Sequence, residues 1–179
     1  MALNSVSNKA KIGNNVTIGD FAVIKDDVVI GNNVKIGSNV LIDDGARISD
    51  NVTLHHGAVI STIPQDLKFK GEITTLELGE NTVVREYATL NRGTAAGGKT
   101  VVGKNCLLMA YSHVAHDCAV GDNVIIANCG TLGGHVEVGD WAIVGGLVAV
   151  HQFVKIGAHA LLAGFTKAVK DVPPYIIAG

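Results

Sequence analysis

The sequence predicts an all-β solenoid, a parallel β-helix built from six-residue repeats, and three observations predict it. A large aliphatic residue recurs at every sixth position, a small or β-branched residue sits two positions before it, and Gly with Asn or Asp often follows it. The aliphatic series runs from Val6 through Ile12, Ile18, Ile24, Ile30, Ile36, Ile42, Ile48 and Leu54 to Ile60. It resumes at Leu78, Val84 and Leu90, and runs again from Val102 to Leu162. A helix needs apolar recurrence at about 3.6 residues and an amphipathic strand at about 2, so a period of six belongs to a repeating supersecondary unit.

Each hexad reads as a short strand and a tight corner. The large aliphatic and its partner two residues earlier, such as Ala22 with Ile24 or Cys118 with Val120, both point inward. Glycines such as Gly13, Gly31, Gly103 and Gly121, followed by Asn-Asn or Asp-Asn, supply residues that tolerate left-handed turns. Three hexads make one coil of about eighteen residues, and coils stack roughly 4.8 Å apart through parallel ladders.

Composition fits a thin core with many corners: 179 residues are 47% hydrophobic but only 4% aromatic, with 22 Gly. Fourteen Lys and Arg against sixteen Asp and Glu give a formal net charge of −2, so no nucleic-acid or membrane partner is called for. No apolar run reaches membrane length. The opening MALNSVSNKAK lacks the regions of a secretory signal, which makes cytoplasmic localisation the expectation. Cys106, Cys118 and Cys129 lack metal-like spacing and read as buried reduced thiols.

The repeat breaks twice, and breaks in a solenoid are where loops and function collect. One domain is expected over 1–179, with loop insertions near 61–77 and 91–100. Lys68 and Lys70 in the first, Arg92 and Lys99 in the second, and Arg85 nearby predict a local positive patch for a phosphate or an acidic protein. Gly97 and Gly98 suggest a mobile second loop.

Counting in eighteens puts His116, His135 and His151 along one edge over two coil steps, with His113 on the coil of His116. His113 and His116 are three apart with no histidine two coils earlier, so no metal is expected. An imidazole is then suited to general-base work, and His116 is the candidate. Asp117 could orient it only if a corner bends the two together, because strand neighbours point to opposite faces. Gly133 and Gly134, one coil on, leave backbone N–H groups for an oxyanion. His55, His56 and His159 read as solvated or structural.

With the strings IPQDLKFKGE, NRGT, LLMAYSHVAHDC, GGHVEVGD, AVHQF and DVPPY, the chain resembles the bacterial UDP-N-acetylglucosamine O-acyltransferases of lipid A synthesis. The resemblance implies a left-handed β-helix of triangular section and a homotrimer with active sites between adjacent prisms. It implies transfer of a 3-hydroxyacyl chain from acyl carrier protein to the 3-hydroxyl of UDP-N-acetylglucosamine, the first step of lipid A biosynthesis, with no cofactor. His116 then matches the general base, Asp117 its support and Gly134 the oxyanion donor. His113, His135, His151 and Gln152 match nucleotide-sugar contacts, Gln65 and Asp66 sugar contacts, Lys68 a donor-side contact and Gly164 the floor of the acyl groove. Family members continue past DVPPY into a helical cap, which is expected to be absent here. A non-catalytic or impaired trimeric scaffold, and a related hexapeptide acyltransferase with another donor or acceptor, are the alternatives.

Overall fold

The computed structural model describes residues 3–179, so the first two positions of the expected 1–179 domain lie outside the described residues. Among the described residues there is no helix. Short strands form three wholly parallel sheets of nine, eight and nine strands. The chain visits the faces in rotation. Ser5–Val6, Val23–Ile24 and Leu41–Ile42 neighbour one another on the first face, Lys11–Ile12, Val29–Ile30 and Ala46–Ile48 on the second, and Thr17–Ile18, Lys35–Ile36 and Thr53–Leu54 on the third. The result is a left-handed parallel β-helix of triangular section.

From the second coil through Leu162 both inward positions of the regular hexads are sealed, whereas Val6 and Ile12 on the first coil are 37% exposed. Ala22, Val28, Val34, Ala46, Ile24, Ile42, Ile60, Leu90 and Leu132 are at most 2% exposed, and each large aliphatic so buried contributes roughly 1.5–3 kcal/mol. Paired residues on neighbouring coils are 18 apart, as in Ser5 with Val23 and Lys11 with Val29. Across the first break they are 30 apart (Val59 with Thr89), so the loop adds twelve residues. Across the second they are 24 apart (Thr89 with His113), so it adds six. Both insertions are whole hexads, which is why the aliphatic phase survives them. The strands Val59–Thr62 and Thr75–Leu78, then Thr89–Asn91 and Lys99–Val102, reach into the predicted breaks and leave loops at 63–74 and 92–98.

Corners are closed by one residue in the left-handed region, with φ between 55° and 66° at non-glycine positions. Between the second and third faces that residue is Asn at 15, 33, 51, 81, 105 and 123, and Asn15 Nδ2 donates to Asn33 Oδ1 at 3.2 Å. The preceding glycine does a different job from the one the sequence suggests. A Cβ on Gly13 would lie 2.6 Å from the Gly31 carbonyl oxygen, so the glycine permits close coil stacking while the asparagine takes the left-handed turn. Further along this edge Trp141, His159 and Tyr175 stack at 6.1 and 4.8 Å, so His159 is structural but not alone. No helix among the described residues is long and apolar enough to cross a membrane.

Candidate active site

Both loops leave the prism at one corner, where the chain turns from the first face to the second, on successive coils. The next coils carry His116 and Asp117, then Gly134 and His135, then Gln152 and Phe153, at the same corner. Asp117 is the left-handed residue of its corner, at φ 58°. That conformation supplies the bend a strand would deny: Asp117 Oδ2 lies 2.8 Å from His116 Nδ1.

Three more donors reach the same carboxylate, all from the second loop. The Thr94 N–H donates to Oδ1 at 2.9 Å, the Thr94 hydroxyl to Oδ2 at 2.6 Å, and the Gly97 N–H to Oδ1 at 3.2 Å. With His116 these fill the lone-pair sites of an ionised carboxylate, which can only accept. The proton therefore sits on His116 Nδ1, and Nε2 presents its lone pair. Burial alone would raise the Asp117 carboxyl, but the hydrogen bonds from Thr94 and His116 outweigh it and hold it below its ordinary range. The Asp117 side chain is 2% exposed and that of His116 9%.

Of the two glycines expected to offer N–H groups, only one does. The Gly133 N–H donates to the Val150 carbonyl at 2.9 Å and belongs to the ladder. The Gly134 N–H has no partner among the described residues. The amides of His116 and Gln152 at the same corner are likewise without a partner among the described residues, whereas along the edge between the second and third faces those of Asn14, Asn32, Lys104 and Asp122 are taken by a side-chain oxygen one coil on. A Cβ on Gly134 would lie 2.6 Å from His116 Cε1, so only glycine lets the imidazole rest over this peptide. His135 meets His116 edge-on at 5.2 Å and stacks on Phe153 at 4.5 Å.

The first loop completes the wall. Gln65, Asp66, Leu67 and Lys68 face His116, His135, Gln152 and Phe153 across a cleft of about 450 Å³. His116, Asp117 and His135 bring potential ligand atoms within 4.8 Å of one another. The four donors already fill the carboxylate, so a cation would have to displace the second loop, and no metal is assigned.

Sequence comparison places this geometry in a family. The bacterial transferase hexapeptide family (six repeats) matches residues 9–44 and 99–134. An acyl-(acyl-carrier-protein)–UDP-N-acetylglucosamine O-acyltransferase from Trichlorobacter lovleyi is 59% identical over 174 residues, covering 97% of this chain and 67% of the relative. One from Aliarcobacter butzleri is 47% identical with the same coverage. The chain belongs to the UDP-N-acetylglucosamine O-acyltransferase family. The solved UDP-N-acetylglucosamine acyltransferase from Bacteroides fragilis is 46% identical and superposes with a TM-score of 0.95 over 99% of this chain and 69% of its own.

Within this O-acyltransferase chain, some expected site residues stand outside the cleft. His151 is exposed, with Nδ1 3.1 Å from the Gln152 carbonyl, and within the predicted row of histidines the ring contact is between His116 and His135. His113 lies on the outer side of the first face, 2.8 Å from the Thr89 hydroxyl. Burial lowers its pKa from the ordinary value. Gly164 sits at another corner, between the third and first faces. It lies beside an outer stripe on the third face formed by Leu107, Ile125, Ile143 and Leu161 and continued by Ile177, which the sequence reading missed. The available signal was an aliphatic directly before the inward one, repeated every eighteen residues.

The expected positive patch is thinned: of its five cations Arg85 and Lys99 have carboxylate partners, while Lys68, Lys70 and Arg92 have no acidic partner among the described residues. Arg85 lies at the corner between the third and first faces, paired with Glu86 at 3.0 Å, and Lys99 pairs with Glu77 at 3.2 Å. Arg92 donates to the Asp44 carbonyl at 2.8 Å and lies over Phe69, leaving Lys68 as the cation of the cleft. The second loop does not read as mobile from its glycines. Gly97 is needed because a Cβ would meet Asp117 Oδ1 at 2.6 Å, and Gly98 because its φ is +75°. Cys106 and Cys118 are buried and free, with burial pushing the Cys118 thiol up to about 12, whereas Cys129 is half-buried. Thr94 and Phe153 were also missed. Phe153 is one coil beyond His135 and was within reach of the eighteen-residue count, but Thr94 lies in a loop that no period describes.

Proposed function

We propose that this protein transfers a 3-hydroxyacyl chain from acyl carrier protein to the 3-hydroxyl of UDP-N-acetylglucosamine, the opening step of lipid A synthesis. Donor and acceptor follow the names of the relatives. The observation that carries the chemistry is the His116 imidazole, held by Asp117 through Nδ1 and resting over the unpaired Gly134 N–H. His116 Nε2 accepts the proton of the sugar hydroxyl as that oxygen attacks the thioester carbonyl carbon. The Gly134 N–H stabilises the resulting oxyanion. Collapse breaks the C–S bond, and the His116 proton passes to the departing carrier thiolate. Asp117 stays ionised throughout, supporting the imidazolium between the two transfers.

Gln65 and Asp66 act as sugar contacts, His113, His135, His151 and Gln152 as nucleotide-sugar contacts, and Lys68 as a contact to the donor. The acyl chain lies along the outer stripe of the third face, with its end at Gly164. The base lies at one corner of the prism and the stripe on the face opposite that corner, which supports a homotrimer in which the base of one copy works with the stripe of the next. No cofactor takes part, and the reaction takes place in the cytoplasm.

The test is to incubate the purified protein with 3-hydroxyacyl carrier protein and UDP-N-acetylglucosamine and follow the product by mass spectrometry, with acetyl-coenzyme A as the competing donor. A 3-O-acylated nucleotide sugar from the carrier thioester alone is the expected result. Acylation only from coenzyme A, or nucleotide-sugar binding without turnover, would contradict the reading.

A further inference from the structure

We propose that Thr94 is a positioning residue for this transfer: its hydroxyl locks the Asp117 carboxylate in the orientation that keeps the proton on His116 Nδ1. The inference rests on reading His116 as the base. The Thr94 hydroxyl donates to Asp117 Oδ2, the same oxygen that faces His116 Nδ1, at 2.6 Å. Its direction is fixed, because the oxygen also accepts the Ala96 N–H at 3.2 Å, turning the hydroxyl proton toward the carboxylate. Thr94 is buried, and the backbone around it is tied down. The Gly98 N–H donates to the Thr94 carbonyl at 2.7 Å, and the Thr74 hydroxyl donates to the Gly93 carbonyl at 2.6 Å.

An orienting carboxylate needs such a hold. The Thr94 and Gly97 N–H groups hold Asp117 Oδ1, and the Thr94 hydroxyl is the second-loop donor on Oδ2; without it the oxygen that faces His116 loses that restraint and the tautomer with the proton on Nδ1 is less favoured. The six inserted residues of the second loop bring Thr94 to a place that no hexad corner could reach. Hydrogen bonds to charged groups are roughly twice as strong as neutral ones, so the hydroxyl, and not the bulk of the side chain, is the part that matters.

The test compares Thr94→Val, which keeps the shape and the backbone N–H but removes the hydroxyl, with Thr94→Ser, which keeps the hydroxyl. Turnover and its pH profile are measured together with the titration midpoint of the Asp117 side-chain carboxyl by carbon NMR. Thr94→Val should lower kcat roughly tenfold to a hundredfold, leave KM for the nucleotide sugar unchanged and raise the Asp117 midpoint, and Thr94→Ser should restore all three. Parent-like kcat in the valine variant, or serine failing as valine does, would overturn the inference. If the parent itself transfers nothing, the proposed function fails on its own. The Asp117 midpoint then still decides Thr94: a rise supports the hold and no change overturns it.

Discussion

Asp117 shows how much one backbone angle can settle. At φ 58° its carboxylate turns back onto the preceding imidazole, and three donors from the second loop hold it there. Gly134 is the matching constraint from the next coil. Gly134→Ala would put a methyl group within 2.6 Å of a ring that cannot move without breaking its bond to Asp117. Because a displacement of about 1 Å can cost about a hundredfold in rate, the variant should lose about that much kcat while still binding the nucleotide sugar, as separate kinetics and calorimetry would show. His113 sets a pH dependence of stability. Its folded pKa lies below its ordinary 6.5 because burial disfavours the charged ring. Between the two values the unfolded chain holds more protons than the folded one, so stability falls as the pH drops from 6.5 toward the depressed value. Denaturant titrations should show His113→Gln flattening that decline.

At the scale of the strand and corner, the repeat tolerates little. A Cβ on Gly139 would lie 2.5 Å from the Ala158 nitrogen, whereas one on Gly146 would find its nearest neighbour at 3.6 Å. Gly139→Ala should therefore cost about 1–3 kcal/mol of stability, and Gly146→Ala should stay within about 0.5 kcal/mol, in paired thermal melts. The strands and inward residues were legible in the sequence because each hexad repeats one steric requirement, as Ile24, Ile42 and Ile60 do on the first face. The corners were only half legible. Asparagine announces a left-handed residue, but Phe21, Tyr87, Tyr111 and Trp141 adopt the same angle without any such signal, since ladder bonds on both sides impose it. Thr94 was not legible as a partner of Asp117, because the path of a loop follows no period. The positive patch is smaller than expected for a related reason: charge counting along the chain does not reveal that Arg85 and Lys99 already have carboxylate partners.

For the whole molecule, the prism separates two features that the proposed reaction must join. His116 lies at the corner of the first and second faces, and the aliphatic stripe lies along the third face, with Gly164 at that face's corner with the first. The proposed trimer, with a site shared between copies, would join them and predicts complementation. A His116→Ala chain and a Gly164→Met chain, each inactive alone on a long-chain donor, should regain part of the activity when co-assembled, because some interfaces then pair an intact base with an intact stripe. Native mass spectrometry of the same mixture should show three copies per particle. The central claim, that the Asp117-held imidazole is the base, meets its most direct test in the single-turnover rate of acyl transfer by His116→Ala, with nucleotide-sugar affinity measured by calorimetry on the same preparation. Loss of about 10² to 10⁴ in rate with affinity retained is the predicted result, and transfer at the parent rate would contradict it.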